Sequence, residues 1–189
     1  MAIGAHIFET AIGPCGIAWS AAGVVAVQLP ERDAATTRAR LIARVPDAHA
    51  AAPPPDIEAV IAAIVAMIEG EPVDLTKVPL DLGRSAEFER RVWAICHAIP
   101  VGQTLTYGDI ARRLGDVALS RAVGKALGAN PIPVIVPCHR VLAADGRSGG
   151  FSGAGGVSTK LRLLNIERAR SSAEPLLFGD LPLAVRGLR

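Results

Sequence analysis

The sequence predicts a small α/β domain at the N-terminus followed by a mainly helical C-terminal domain with a helix-turn-helix pattern. Three observations predict it. The first thirty residues alternate short β-type runs with turns marked by Gly and Pro, and from Ser85 onward the chain reads as a succession of short amphipathic helices. Near Leu82-Gly83-Arg84 the composition changes from acid-rich to Arg-rich. These divide the chain into residues 1–83, residues 84–170 and a tail, 171–189.

In chain order, His6–Thr10, Gly16–Ser20 and Val24–Leu29 read as strands of an antiparallel meander, separated at Gly13-Pro14 and Ala22-Gly23. A helix over Asp33–Arg44 follows, then the Ala- and Pro-rich stretch Pro46–Pro55, which reads as a loop or linker. Asp56 is a candidate N-cap for a helix whose stripe Ile57, Val60, Ile61, Ile64 and Ile68 has core spacing and which stops at Gly70. Phe88, Val92, Trp93, Ile95 and Cys96 give the next amphipathic helix, closed by Pro100 and Gly102. Thr106 with Asp109 approximates a capping box opening a helix over Tyr107–Leu114. Leu119–Ala129 makes its partner across Gly115-Asp116-Val117-Ala118, and this second helix carries Arg121 and Lys125.

Charge divides with the composition. Residues 1–83 hold five Lys and Arg against ten acids, net −5, and residues 84–170 hold thirteen against six, net +7. A basic half suggests a polyanionic partner. Alanine inflates the mean hydropathy of +0.35, and the longest uncharged apolar run, Ala59–Ile68, is too short to span a bilayer. The N-terminus lacks a basic start and an apolar run, so a cytoplasmic protein with no membrane association is expected. Cys15, Cys96 and Cys138 are odd in number and widely spaced, which argues against a disulfide framework or a cysteine-rich zinc site. His6, Cys15, His49 and His97 suggest no metal-ligand cluster, and neither metal nor cofactor is expected.

The chemistry concentrates in Asn130-Pro-Ile-Pro-Val-Ile-Val-Pro137-Cys138-His139-Arg140-Val141. An apolar run bracketed by prolines cannot continue a helix, so it is expected to cross the interior extended and deliver Cys138 beside a histidine. A free thiol titrates near ~8.5, so nucleophilic work needs a base or positive charge nearby; His139 and Arg140 are candidate suppliers.

This run resembles the active-site signature of the O6-alkylguanine-DNA alkyltransferase family. The resemblance extends over roughly Phe88–Glu167 through Val92-Trp93, Pro100-x-Gly102 with Tyr107-Gly108, Ser120-Arg121-Ala122-Val123-Gly124, Gly150-Phe151-Ser152-Gly153, and Lys160-x-x-Leu163-Leu164-x-x-Glu167. The N-terminal third is similar only loosely, around Ile12-Gly13-Pro14 and Gly16. It implies a ribonuclease-like N-terminal domain and a winged-helix-like C-terminal domain. By resemblance, Cys138 accepts the alkyl group stoichiometrically and irreversibly from O6-alkylguanine, and from O4-alkylthymine, in double-stranded DNA. His139, bridged by water and oriented by Glu167, takes the thiol proton. Tyr107 serves guanine N3, the carbonyls of Cys138 and Val141 read the exocyclic amine, and the loop of Ser152 and Gly153 donates to O6. Asn130 pins the turns behind the nucleophile.

The resemblance also implies that the target nucleotide is flipped out, with Arg121 as the finger that fills the gap. Ser120, Ala122 and Lys125 share the helix that enters the minor groove, and Arg140 is grouped with the substrate- and DNA-contacting residues. A monomer is expected in solution, with cooperative assembly on DNA left open. Two departures stand out: Ala154 replaces a common second glycine, and the tail matches nothing in the family. No four-cysteine module for phosphotriester repair is present. The competing readings are a multiple-turnover thiol hydrolase, which would need an oxyanion site, and a non-catalytic DNA-binding regulator or sensor, which would have no use for Cys138.

Overall fold

The computed structural model describes residues 2–144, 146, 150–151 and 155–169. Three strands, β1 (Ile3–Phe8), β2 (Cys15–Ser20) and β3 (Gly23–Gln28), form the expected antiparallel meander. β1 starts three residues before the span His6–Thr10 read from the sequence and ends two before it. Thr10 closes the turn instead of ending the strand: its Oγ1 donates to the Gly13 carbonyl at 2.6 Å, and Gly13 N–H donates back to the Thr10 carbonyl at 3.0 Å. At the β2–β3 turn Gly23 has φ 139°, and a Cβ there would collide with the Pro79 carbonyl, so glycine is required twice over.

α1 (Ala34–Arg44) starts at Asp33, whose carboxylate accepts from Thr36 N–H at 2.7 Å. The stretch Pro46–Pro55 is not wholly a loop. Ala48–Ala50 forms β4, parallel to β1, giving the order β3-β2-β1-β4. Three residues, Ala48, His49 and Ala50, none of them β-branched and all set in a Pro- and Ala-rich stretch, carry no strand signal; the pairing is imposed by the neighbouring edge. α2 (Pro55–Ile68) is capped by Pro54 with Pro55 in its first turn, so Asp56 is not the cap but an acid favourably placed near the positive helix end.

α1 covers one face of the sheet, with Leu41 and Val45 packed on Ile3, Ala5, Ala18 and Ala26. On the other face Ile17, Trp19, Val24 and Val27 join α2 and the helices beyond residue 84 in one buried cluster that reaches Trp93, Val123, Val136 and Cys138. The change of charge near residue 83 is therefore not a break in the core.

The second half contains α3 (Glu87–His97), α4 (Tyr107–Arg113), α5 (Ser120–Gly128) and α6 (Gly156–Ile166). Two short strands, β5 (Leu105–Thr106) and β6 (Val141–Leu142), pair in parallel. The capping box opening α4 is formed: Thr106 Oγ1 accepts from Asp109 N–H at 3.0 Å and Asp109 accepts from Thr106 N–H at 2.7 Å. The link between α4 and α5 winds into a 3-10 turn, Val117–Leu119, capped by the Asp116 carboxylate, which accepts from Ala118 N–H at 2.8 Å. Trp93 Nε1 donates to the Ala126 carbonyl at 2.8 Å, locking α3 to α5. Among the described residues no helix is long and apolar enough to cross a membrane.

Candidate active site

The segment expected to run extended to Cys138 instead winds through turns. Val136 N–H donates to the Ile132 carbonyl at 2.8 Å, and Val134 sits at φ 77°, a region β-branched residues rarely occupy. Two features hold it there. Ile132, Val134, Ile135 and Val136 are buried. The Asn130 side chain also clamps both ends of the turn, donating to Val136 O at 2.8 Å and accepting from Ile132 N–H at 3.0 Å. The prolines forbid a regular helix, but they do not require an extended chain. From outside, Val27 N–H of β3 donates to the Pro131 carbonyl at 2.9 Å, so the sheet braces this turn.

Cys138 opens a 3-10 turn, Cys138–Arg140, and its own N–H donates to the Val136 carbonyl at 2.8 Å. The residue is 8 % exposed, on the floor of a cleft of about 600 Å³ lined also by Tyr107, Ser120, Arg121, Gly124 and Phe151. That volume is in the range of small-molecule sites. Burial raises the Cys138 thiol above its ordinary value, against the opposing pull of Asn130, of the Lys160 charge, and of the Cys138 and His139 N–H groups. Burial wins, so the resting thiol is protonated and needs a proton acceptor.

His139 faces away from solvent, with Nε2 2.8 Å from Glu167 Oε1. Against the burial that would raise it, the His139 charge and hydrogen bond and the Arg140 guanidinium hold the Glu167 carboxyl down at about 2. A carboxylate cannot donate, so the hydrogen bond places a proton on Nε2 and leaves Nδ1 as the ring atom able to accept another. Nδ1 is buried and has no hydrogen-bond partner among the described residues.

Arg140 is placed away from the DNA-contacting group assigned to it by sequence. It is 5 % exposed, with Nε 2.9 Å from Glu167 Oε2, Nη2 2.8 Å from Oε1, and Nη1 donating to the Ile99 carbonyl. A guanidinium so occupied cannot reach a phosphate; it holds Glu167 in place by a bidentate fork. Tyr107 is the first residue of α4, half-buried, and burial raises its phenol, with Cys138 adding to the effect. Arg121 and Lys125 are exposed on α5, Ala122 is half-buried, and the Ser120 hydroxyl donates to Val117 O at 2.7 Å. Val141 is buried in β6. Ser152, Gly153 and Ala154 lie outside the described residues, as does the tail 171–189.

Lys160, part of the family motif but with no role attached to it by sequence, is completely buried. Its Nζ donates to the Val141 carbonyl at 2.6 Å and lies 5.9 Å from the centroid of the Tyr107 ring. Lysine is almost never fully buried, so a lysine one helical turn ahead of Leu163 and Leu164 gives no sign in the sequence of lying inside.

A nucleophilic thiol with its own imidazole and carboxylate, opening on a cleft walled by the second helix of a helical pair, defines a class of protein. Residues 87–169 match the DNA-binding domain of 6-O-methylguanine DNA methyltransferase. The Mycobacterium tuberculosis OGT structure solved in complex with DNA superposes with a TM-score of 0.69 at 33 % identity, covering 87 % of this chain and 92 % of that one. The O6-methylguanine-DNA methyltransferase of Pyrococcus kodakaraensis superposes with a TM-score of 0.64 at 27 % identity, covering 87 % and 98 %. The methylated-DNA–protein-cysteine methyltransferase of Mycolicibacterium paratuberculosis is 45 % identical over 106 residues, 56 % of this chain and 63 % of its own length. That match thus spans less than two thirds of the relative. The chain belongs to the O6-methylguanine methyltransferase family, and its mixed α/β content is that of the family's solved structures.

Proposed function

We propose that this protein repairs alkylated DNA by direct reversal, moving an alkyl group from the O6 atom of guanine, or O4 of thymine, to Cys138 Sγ in a single irreversible event. The arrangement of Cys138 on the cleft floor with the His139–Glu167 pair buried behind it carries the reading. The thiol proton passes to His139 Nδ1 through a water, and Glu167 stabilises the imidazolium. Sγ attacks the alkyl carbon; the S–C bond forms as the C–O bond breaks. The base leaves as neutral guanine by taking a proton at N3 from Tyr107, which recovers it from the imidazolium. The balance is thiol plus O6-alkylguanine giving thioether plus guanine. The thioether has no route back, so each chain acts once.

The partner is double-stranded DNA, met through the minor groove by α5, with Arg121 filling the stack once the base is flipped and Ser120, Ala122 and Lys125 along the contact. The carbonyls of Cys138 and Val141 read the exocyclic amine, and Ser152 with Gly153 serves O6. One lone pair of each carbonyl is already used, by Val141 N–H and by Lys160, which leaves one for the base. We assign residues 1–83 to a ribonuclease-like domain and 84–170 to a winged-helix-like domain, acting as a cytoplasmic monomer. Mass spectrometry after incubation with an O6-methylguanine duplex tests the reaction. One methyl per chain on the Cys138 peptide is expected; catalytic release of product with an unmodified chain would mean a hydrolase, and tight binding with neither a sensor.

A further inference from the structure

The mechanism above leaves Lys160 without a task. Burying an ammonium costs several kcal/mol unless something compensates it, and among the described residues Lys160 has no carboxylate ion pair. What faces it is a carbonyl, an aromatic ring and groups that are neutral at rest. Val141 O of β6 accepts its proton, Tyr107 of α4 offers its ring, and the thiols of Cys138 and of Cys96 on α3 lie within its electrostatic reach. On its own helix side, Glu167 is already compensated by His139 and Arg140.

We propose that Lys160 is the counterion of the transfer: held on the Val141 carbonyl beside the Tyr107 ring, its ammonium supplies the positive charge that faces the Cys138 thiolate. The thiolate exists only while the alkyl group is moving, so the charge is stronger in its effect on the transition state than on the resting site. Lys160 loses no proton and touches no substrate atom in this scheme; it is a positioning residue. The proposal rests on the alkyl-transfer reading. Burial brings the Lys160 ammonium down to about 8, so it is charged at neutral pH and discharges just above it. The transfer rate should then fall on the alkaline side although more thiolate forms.

The test uses the full chain with Lys160→Met and Lys160→Arg. Single-turnover transfer from an O6-methylguanine duplex is followed against pH, and the rate of iodoacetamide labelling of Cys138 is followed by peptide mapping. Lys160→Met should slow both at neutral pH by about a hundredfold, the equivalent of roughly two pKa units, and abolish the alkaline fall. Lys160→Arg should recover much of both rates and keep its activity to higher pH, because guanidinium does not discharge there. A folded Lys160→Met with unchanged rates and pH profile overturns the proposal, as does a folded Lys160→Arg that recovers neither rate. Should Lys160→Met fail to fold, the alkaline limb of wild type against Lys160→Arg decides alone. If the wild type transfers nothing from the duplex, the alkyl-transfer reading fails, while iodoacetamide still reads the charge beside Cys138.

Discussion

Cys15 in β2 and Cys138 in its turn are both buried, and in both burial raises the thiol. Around Cys15 little opposes that: Thr10 Oγ1 at 3.8 Å lowers it, Glu9 raises it further, and the thiol stands at about 12. Around Cys138 an asparagine, a buried ammonium and two main-chain N–H groups all favour the thiolate, and a basic imidazole nitrogen follows it in the chain. The difference shows that depth does not make a nucleophile. A thiol becomes useful when the groups that would hold its anion are in place before the anion forms.

The comparison breaks most decisively at the acceptor itself. Cys138→Ser should abolish transfer while leaving binding to undamaged duplex largely intact; an alkyl mark mapped to Cys15 or Cys96 would refute the assignment. Next in size, Glu167→Gln removes the charge that orients and stabilises His139 and should slow transfer by about a hundredfold or more, as removal of a positioned acid–base partner typically does. Its stability signature has a definite sign. The Glu167 carboxyl is lowered from 4.5 to about 2 in the folded chain, so its stabilisation is fully present above the unfolded value and is lost as pH falls toward 2. An acid titration of the melting temperature should lose that component in Glu167→Gln.

Arg121→Ala should act on the flipped state and not on the thiol. About a tenfold loss is expected with duplex, corresponding to ~1.4 kcal/mol of lost stacking and phosphate contact. Single strands should lose much less, and free O6-benzylguanine almost nothing. Equal losses with duplex and free base in a folded variant would show that Arg121 is not the finger. The smallest effect should come from Cys15→Ala, with transfer unchanged and stability lower by about 1 kcal/mol, the ordinary consequence of trimming a small buried side chain. A slowed transfer there would mean that the sheet takes part in the chemistry.

Where local pattern decides structure, the sequence was readable: the α2 stripe, the Thr106–Asp109 box and the meander; the grouping of Cys138 and His139 with Glu167 came from the family resemblance, not from local pattern. It was opaque where distant parts decide. β4 exists because β1 has a free edge, not because Ala48, His49 and Ala50 favour a strand. The turns over Ile132–Val136 depend on Asn130 reaching back at both ends, and Val134 tolerates its unusual backbone only under that clamp and in that packing. Arg140 reads in sequence as a source of positive charge for the thiol and, by resemblance, groups with the substrate- and DNA-contacting residues. Its true partner is 27 residues away in the chain, a separation that no local pattern encodes. Lys160 stood in the family motif, but its burial against the Val141 carbonyl, 19 residues away, was hidden for the same reason.

The outer side of β3 offers a last consequence. Val24 exchanges main-chain hydrogen bonds with the returning chain, donating to Pro79 O and accepting from Asp81 N–H, and Val27 donates to Pro131. At the opposite margin of the sheet β4 is three residues long. Neither margin leaves a long row of open amides on which a second copy could add a strand. Under the single-event transfer proposed above, a spent chain outlives its chemistry, and a sheet without a template gives such chains no edge on which to polymerise.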